Sequence, residues 1–73
     1  MEQFFIKVIY YNPCSHENDW CIISEDNGET LGEETAMMFD SELEAWEWTQ
    51  SKQAMQWLPC KFEVHKSVYK KEV

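Results

Sequence analysis

FDSELEAWEWTQSKQAMQWL, residues 39–58, is the one stretch long enough and suitably punctuated to form a substantial helix. It carries three of the four tryptophans, Trp46, Trp48 and Trp57. Ser41 followed three positions later by Glu44 fits a capping box, in which the hydroxyl and the carboxylate each satisfy the other residue's amide. Asp40, Glu42, Glu44 and Glu47 crowd the start, where the positive end of the helix dipole favours them. Lys52 is the one base of the segment. Pro59 ends it, because the residue before a proline is pushed toward extended geometry. At about 100° per residue, Leu43, Trp46, Ala54, Trp57 and Leu58 share a stripe about 120° wide, interrupted by Glu47 and Gln50. Ala45, Trp48 and Met55 form a second side. The first stripe is expected to meet the core, which leaves Trp48 and Met55 at its margin or in the open.

Working outward, residues 4–11, FFIKVIYY, carry the strongest strand signal. Phe4, Ile6, Val8 and Tyr10 alternate with Phe5, Lys7, Ile9 and Tyr11, and apolar character on both sides predicts a central strand. Asn12-Pro13 breaks it, and residues 14–19 read as a polar loop. Residues 20–24, WCIIS, predict a second strand paired to the first through that enlarged loop. Glu25-Asp26-Asn27-Gly28 is a turn signal. Residues 30–36 resemble an exposed loop, with residues 35–39 as a short third strand leading into the helix. After Pro59, residues 61–69 alternate, with Phe62, Val64 and Val68 inward and Lys61, Glu63, His65, Ser67 and Tyr69 outward. Lys66 spoils the inward row, as suits a sheet edge. This strand is expected to run back beside the first, and residues 70–73 to fray.

The expected fold is therefore α+β: an antiparallel sheet of three or four strands with one helix packed across one face, in the order β-β-(β)-α-β. The 73 residues make one domain. A chain of this size buries only about 60–65% of its unfolded surface. Aromatic residues are the efficient remedy, because each removes about 150–250 Å² from water.

The formal net charge is −8. Its distribution says more than its total. Between Val8 and Ser51 there is no lysine and no arginine, yet eleven carboxylates: Glu17, Asp19, Glu25, Asp26, Glu29, Glu33, Glu34, Asp40, Glu42, Glu44 and Glu47. The lysines gather in the last third, at Lys52, Lys61, Lys66, Lys70 and Lys71. Phosphate contacts need clustered positive charge, so direct nucleic-acid binding is disfavoured. A negative field steers basic partners and also serves solubility. No apolar run approaches the roughly 18 residues needed to span a membrane. Without a signal-peptide pattern at residue 1, the expected compartment is the reducing cytoplasm.

Tests for chemistry yield little. Cys14, His16, Cys21, Cys60 and His65 are zinc-type donors, but Cys14-x-His16 is a poor chelate spacing and no C-x₂-C or H-x₃-H pair occurs. Cys14 and His16 lack a signposted orienting group or oxyanion site. Glu44 and Glu47 lie on neighbouring helix turns, the usual pattern of a solvated face. Gly28 and Gly32 sit among carboxylates that repel phosphate. Glu25-Asp26-Asn27-Gly28-Glu29 does not meet the EF-hand pattern and allows only incidental cation binding. No catalytic residue, metal site or cofactor is assigned.

What remains is an interaction surface. Carboxylates in rows imitate duplex phosphates, and tryptophan and methionine anchor contacts inside an acidic rim. The candidate residues are Glu33, Glu34, Asp40, Glu44, Glu47, Trp48 and Met55. Two short strands, a helix opening FDSELEAWEWTQ and a closing strand KFEVHKSV resemble, over about residues 20–68, the phage-encoded inhibitor of bacterial RNA polymerase found in T7-like phages. Small anti-CRISPR and anti-restriction proteins share its size and character. That resemblance implies a strand–strand–helix–strand order and action by binding, without catalysis. The expected function is a small acidic protein that inhibits or modulates a partner with a basic surface, such as a nucleic-acid-handling enzyme or a defence system. The alternatives are a zinc or redox module using the Cys and His residues, and a structural subunit that forms a homodimer or larger oligomer.

Overall fold

A computed structural model describes residues 2–67. Its elements, in chain order, are β1 (Phe4–Asn12), β2 (Glu17–Ile23), β3 (Glu29–Thr30), a single 3-10 turn (Glu33–Thr35), α1 (Glu42–Trp48), α2 (Lys52–Met55) and β4 (Lys61–Lys66). The architecture is α+β. A four-stranded sheet, order β3-β2-β1-β4, has α1 packed on it. Each pairing is antiparallel. β1 is central, as its two-sided apolar pattern predicts. Val68 and Tyr69, placed in the last strand by alternation, and the tail expected to fray at 70–73 lie outside the described residues.

The β1–β2 hairpin is tighter than its sequence suggests. Asn12 pairs with Glu17, so the loop is residues 13–16 rather than 14–19. His16 takes a positive φ of 58° and donates its amide to the Asn12 carbonyl at 2.9 Å. Asn12 caps the turn from both ends of its side chain: its oxygen accepts from the Cys14 amide at 2.9 Å, and its amide donates to Asp19 at 2.6 Å. Polar residues 17–19 can thus pair as a strand, because backbone partners and side-chain hydrogen bonds do the holding that apolar contacts do elsewhere.

The third strand also falls elsewhere. It is Glu29–Thr30, paired to Ile22 and Ile23. Residues 35–39 make only two isolated bridges, Ser24 with Ala36 and Phe4 with Phe39. Register between β1 and β2 ends at Lys7 opposite Ile22. Past that pair the segment is bonded to both strands, with the Met37 amide on the Ile23 carbonyl and Phe4 and Phe39 exchanging amide bonds. Its side chains alternate, Met37 and Phe39 packing on the helix side and Ala36 and Met38 on the other.

The helical stretch differs most from expectation. It is two helices broken at Thr49–Ser51. There the amides of Gln50 and Ser51 reach back only three residues, to Glu47 and Trp48, at 3.0 and 2.9 Å. The Thr49 hydroxyl donates to the Trp46 carbonyl at 2.5 Å, and Ser51 then caps α2 by accepting from the Ala54 amide at 3.3 Å. Short polar side chains that compete for backbone groups break the run. The break resets the helical phase, so the two helices bury different sides: α1 turns in the second side, through Ala45 and Trp48, and α2 the first, through Ala54, with Trp57 just beyond it. Ala45 and Ala54 are fully buried, whereas Leu43 is 67% exposed, Trp46 42% and Leu58 54%. Trp57 alone of the bulky first stripe packs on the core. The Ser41 cap forms as predicted, accepting from Glu44 at 3.1 Å. The returning Glu44 carboxylate accepts from Asp40 at 3.3 Å, one residue earlier than the capping box requires.

Between α1 and the sheet lie Ile6, Val8, Cys21, Ile23 and Ala45, ringed by Trp48, Phe39, Phe62, Val64 and Trp57. Alanine at 45 lets the helix backbone approach closely enough for Trp48 to reach Phe39 and Phe62, with ring centroids at 6.5 and 6.4 Å. Phe5, Ile22 and Ala36 form a smaller cluster on the opposite side of the sheet.

Candidate interaction surface

The helix break decides which predicted contact residues are free to meet a partner. Trp48 is not a surface anchor. Its ring is wedged edge-on to Phe62, at an interplanar angle of 89°, inside the main core. Met55, on α2, is 62% exposed. Asp40, Glu44 and Glu47 are exposed at and along α1. Glu34 is exposed and Glu33 half-buried in the 3-10 turn. The four residues between that turn and Asp40 are extended, a span of about 13 Å at roughly 3.3 Å per residue. The structure therefore sets two carboxylate groups apart, Glu33 with Glu34 and Asp40 with Glu44 and Glu47, rather than one dense cluster. Among the described residues the salt bridges use Glu2 and Glu63, and none involves these five.

A third acidic group, not assigned to the interface from sequence, surrounds the β2–β3 turn. The Ser24 hydroxyl donates to Asp26, and the Gly28 amide donates to Asp26 Oδ1 at 3.1 Å. These bonds, the Ser24 one first, hold the Asp26 carboxyl below its usual range. Asn27 takes a positive φ of 66°, which asparagine tolerates. Ser24, Glu25, Asp26, Glu29, Thr30 and Thr35 line an open depression of about 410 Å³ here. Glu29 points to the helix side of β3, toward Tyr10. Burial first, then the charges of Cys21, Glu29 and Asp19, push the Tyr10 hydroxyl up from its ordinary value.

The opposite side of the sheet has another chemistry. Lys7 stands 4.5 Å from the Trp20 ring centroid. His65 stacks on Phe5 at 5.7 Å and meets Glu63 Oε1 at 2.9 Å. His65 first, then Lys61 and Lys7, hold the Glu63 carboxyl down.

The zinc-type donors are dispersed. Cys14 and His16 lie in the hairpin loop beyond the Asn12–Glu17 pair, and His65 is opposite Phe5 at the far end of β1. Among the described residues no three His, Cys, Asp or Glu side chains converge as a metal site. Cys21 is buried and Cys60 half-buried, and burial pushes both thiols up, away from the thiolate that nucleophile or ligand chemistry needs. No helix among the described residues is long and apolar enough to cross a membrane. Set against protein-family models, curated proteins and solved structures, the chain finds no match.

Proposed function

We propose that this protein is a non-catalytic binding module that docks onto the basic surface of a protein partner and so inhibits or modulates it. One observation carries the reading. Glu34, Asp40, Glu42, Glu44 and Glu47 are exposed, and among the described residues no salt bridge neutralises them. Like charges kept side by side in water cost self-repulsion, which a cationic counterpart relieves. A partner that ordinarily grips phosphates suits them best, because carboxylates spaced along a surface occupy the same channel. Action by binding, without catalysis, is what the resemblance to phage-encoded inhibitors implies. A cytoplasmic setting accords with three cysteines that stay unpaired. Met55, exposed on α2, supplies an adaptable apolar contact.

The test is co-purification from cell extract in two salt concentrations. The partner is expected to be retained at 0.1 M and released at 1 M, where the screening length falls from about 10 to about 3 Å. A variant carrying amides at Glu33, Glu34, Asp40, Glu44 and Glu47 is expected to lose it at both. Retention by that variant, with unchanged salt dependence, would overturn the reading.

A further inference from the structure

Past α2 the chain crosses back over the helix side of β1 and leaves a recess beside it. Tyr10, Tyr11, Glu29, Gln56, Trp57 and Pro59 line a space of about 390 Å³. Tyr10 and Glu29 also line a neighbouring space of about 580 Å³, together with Asp19 and Trp20 of β2. β3 is only two residues long, so it leaves this length of β2 uncovered. Trp57 is held from both sides. It packs on the core, and its indole N–H donates to the Asn27 side chain at 3.5 Å. Gln56 reaches the Asn27 carbonyl at 3.5 Å, which ties the wall of the recess to the β2–β3 turn.

The lining combines aromatic rings with the carboxylates of Glu29 and Asp19, and none of the described lining residues is basic. Asp19 accepts from the Asn12 amide at 2.6 Å, but among the described residues no salt bridge involves Asp19 or Glu29, so a neutral apolar guest would displace water from two anions and offer no counter-charge. A cation with a flat or methylene-rich body satisfies both, since ring faces attract it and carboxylates accept its hydrogen bonds. We propose that this recess takes an arginine side chain from the basic partner, with Glu29 and Asp19 receiving the guanidinium and Tyr10 and Trp57 flanking it. This rests on the acidic-docking reading and gives it a specific anchor point.

The probe is N-acetyl-arginine methylamide, titrated at constant ionic strength into the intact protein while the Trp57 indole N–H is followed by NMR. The norleucine analogue, of similar length and no charge, is the control. A saturable shift with arginine alone is expected. Glu29→Gln should weaken it about tenfold, the usual effect of removing a charged hydrogen-bond partner. Glu63→Gln, on the opposite side of the sheet, should leave it unchanged. Equal response to norleucine, or unchanged arginine binding by Glu29→Gln, overturns the assignment. In that case, capture of the basic partner that still depends on salt and on the Glu33, Glu34, Asp40, Glu44 and Glu47 set shows that the broader docking reading stands without this recess. Since Glu29 is exposed, its amide variant should keep the wild-type spectrum elsewhere, which separates lost binding from lost fold.

Discussion

Trp48 and Trp20 sit on opposite sides of one sheet and are held by different physics. Trp48 meets two other aromatic rings and lies over a core in which Ile6, Val8 and Ile23 are each 1% exposed. Trp20 is 46% exposed, and its named partner is a lysine ammonium on its face. The helix side is a continuous packed layer. The other side carries two cross-strand pairs, Lys7 with Trp20 and Phe5 with His65, and the Lys61–Glu63 pair along β4. A central strand that is apolar on both sides therefore does not demand two covering layers. Long side chains laid across neighbouring strands can shield the second one.

The sharpest way to break this comparison is to truncate both tryptophans. Trp48→Ala is expected to cost ~3–5 kcal/mol, as large-to-small changes in a packed core do. Trp20→Ala should cost about 1 kcal/mol, since half its surface is already in water. In a domain of this size each kcal/mol moves Tm by about 4–8 °C, so thermal melts separate the two easily. Equal losses would mean that the two sides are built alike. Next in size is the cap that sets α1 on its layer. Ser41→Ala should cost about 1 kcal/mol in urea unfolding. By contrast, Leu43→Ala, on the exposed stripe two residues on, should stay within about 0.5 kcal/mol. Lys7→Met keeps the aliphatic stem and removes the charge, so it loses the cation–π contribution, about 0.5–1 kcal/mol, together with the weaker pull on Glu63, and the residual stability should become less sensitive to salt.

The smallest effect is a titration. Glu63 is held below its ordinary range by His65 first. A depressed folded value means that its stabilisation is fully present above the unfolded carboxylate pKa of about 4.3 and is lost as pH falls through the folded value. Replacing His65 with Phe keeps an aromatic ring against Phe5 and removes that partner. The Glu63 carboxyl, followed by carbon NMR, should then titrate higher. No upward movement would show that the open side owes nothing to this pair.

Much of the fold was legible because β1, the Asn-Pro stop and the Ser41 cap are local signals. The helix side was not, and the reason is specific. A single angular template was carried through Thr49–Ser51, where two hydroxyls compete for backbone groups and stop the helix. With one phase imposed on two helices, bulky Leu43 and Leu58 outweighed Ala45, although small size is what the close approach needs. The paired residues 17–19 were hidden by their polarity. Of the candidate contact residues, the exposure of most acidic ones follows from their charge, and that of Met55 from its position. Trp48 could not be read in this way, because its burial depends on Phe39 and Phe62 meeting it from distant parts of the chain. The Glu29–Tyr10–Trp57 recess left no local mark, since it joins three elements far apart in sequence.

Placing the first strand in the middle and the last one beside it has a cost in time. The Lys66–Glu2 contact spans 64 positions, and Ser67 donates to Gln3 at 2.8 Å. During ribosomal synthesis the β1–β2 hairpin can close early, but one flank of β1 waits, unpaired, until β4 has left the exit tunnel. Closing so long a loop taxes the search more than the final stability. Nascent chains halted before residue 61 should therefore present a sticky edge to chaperones that the finished protein never shows.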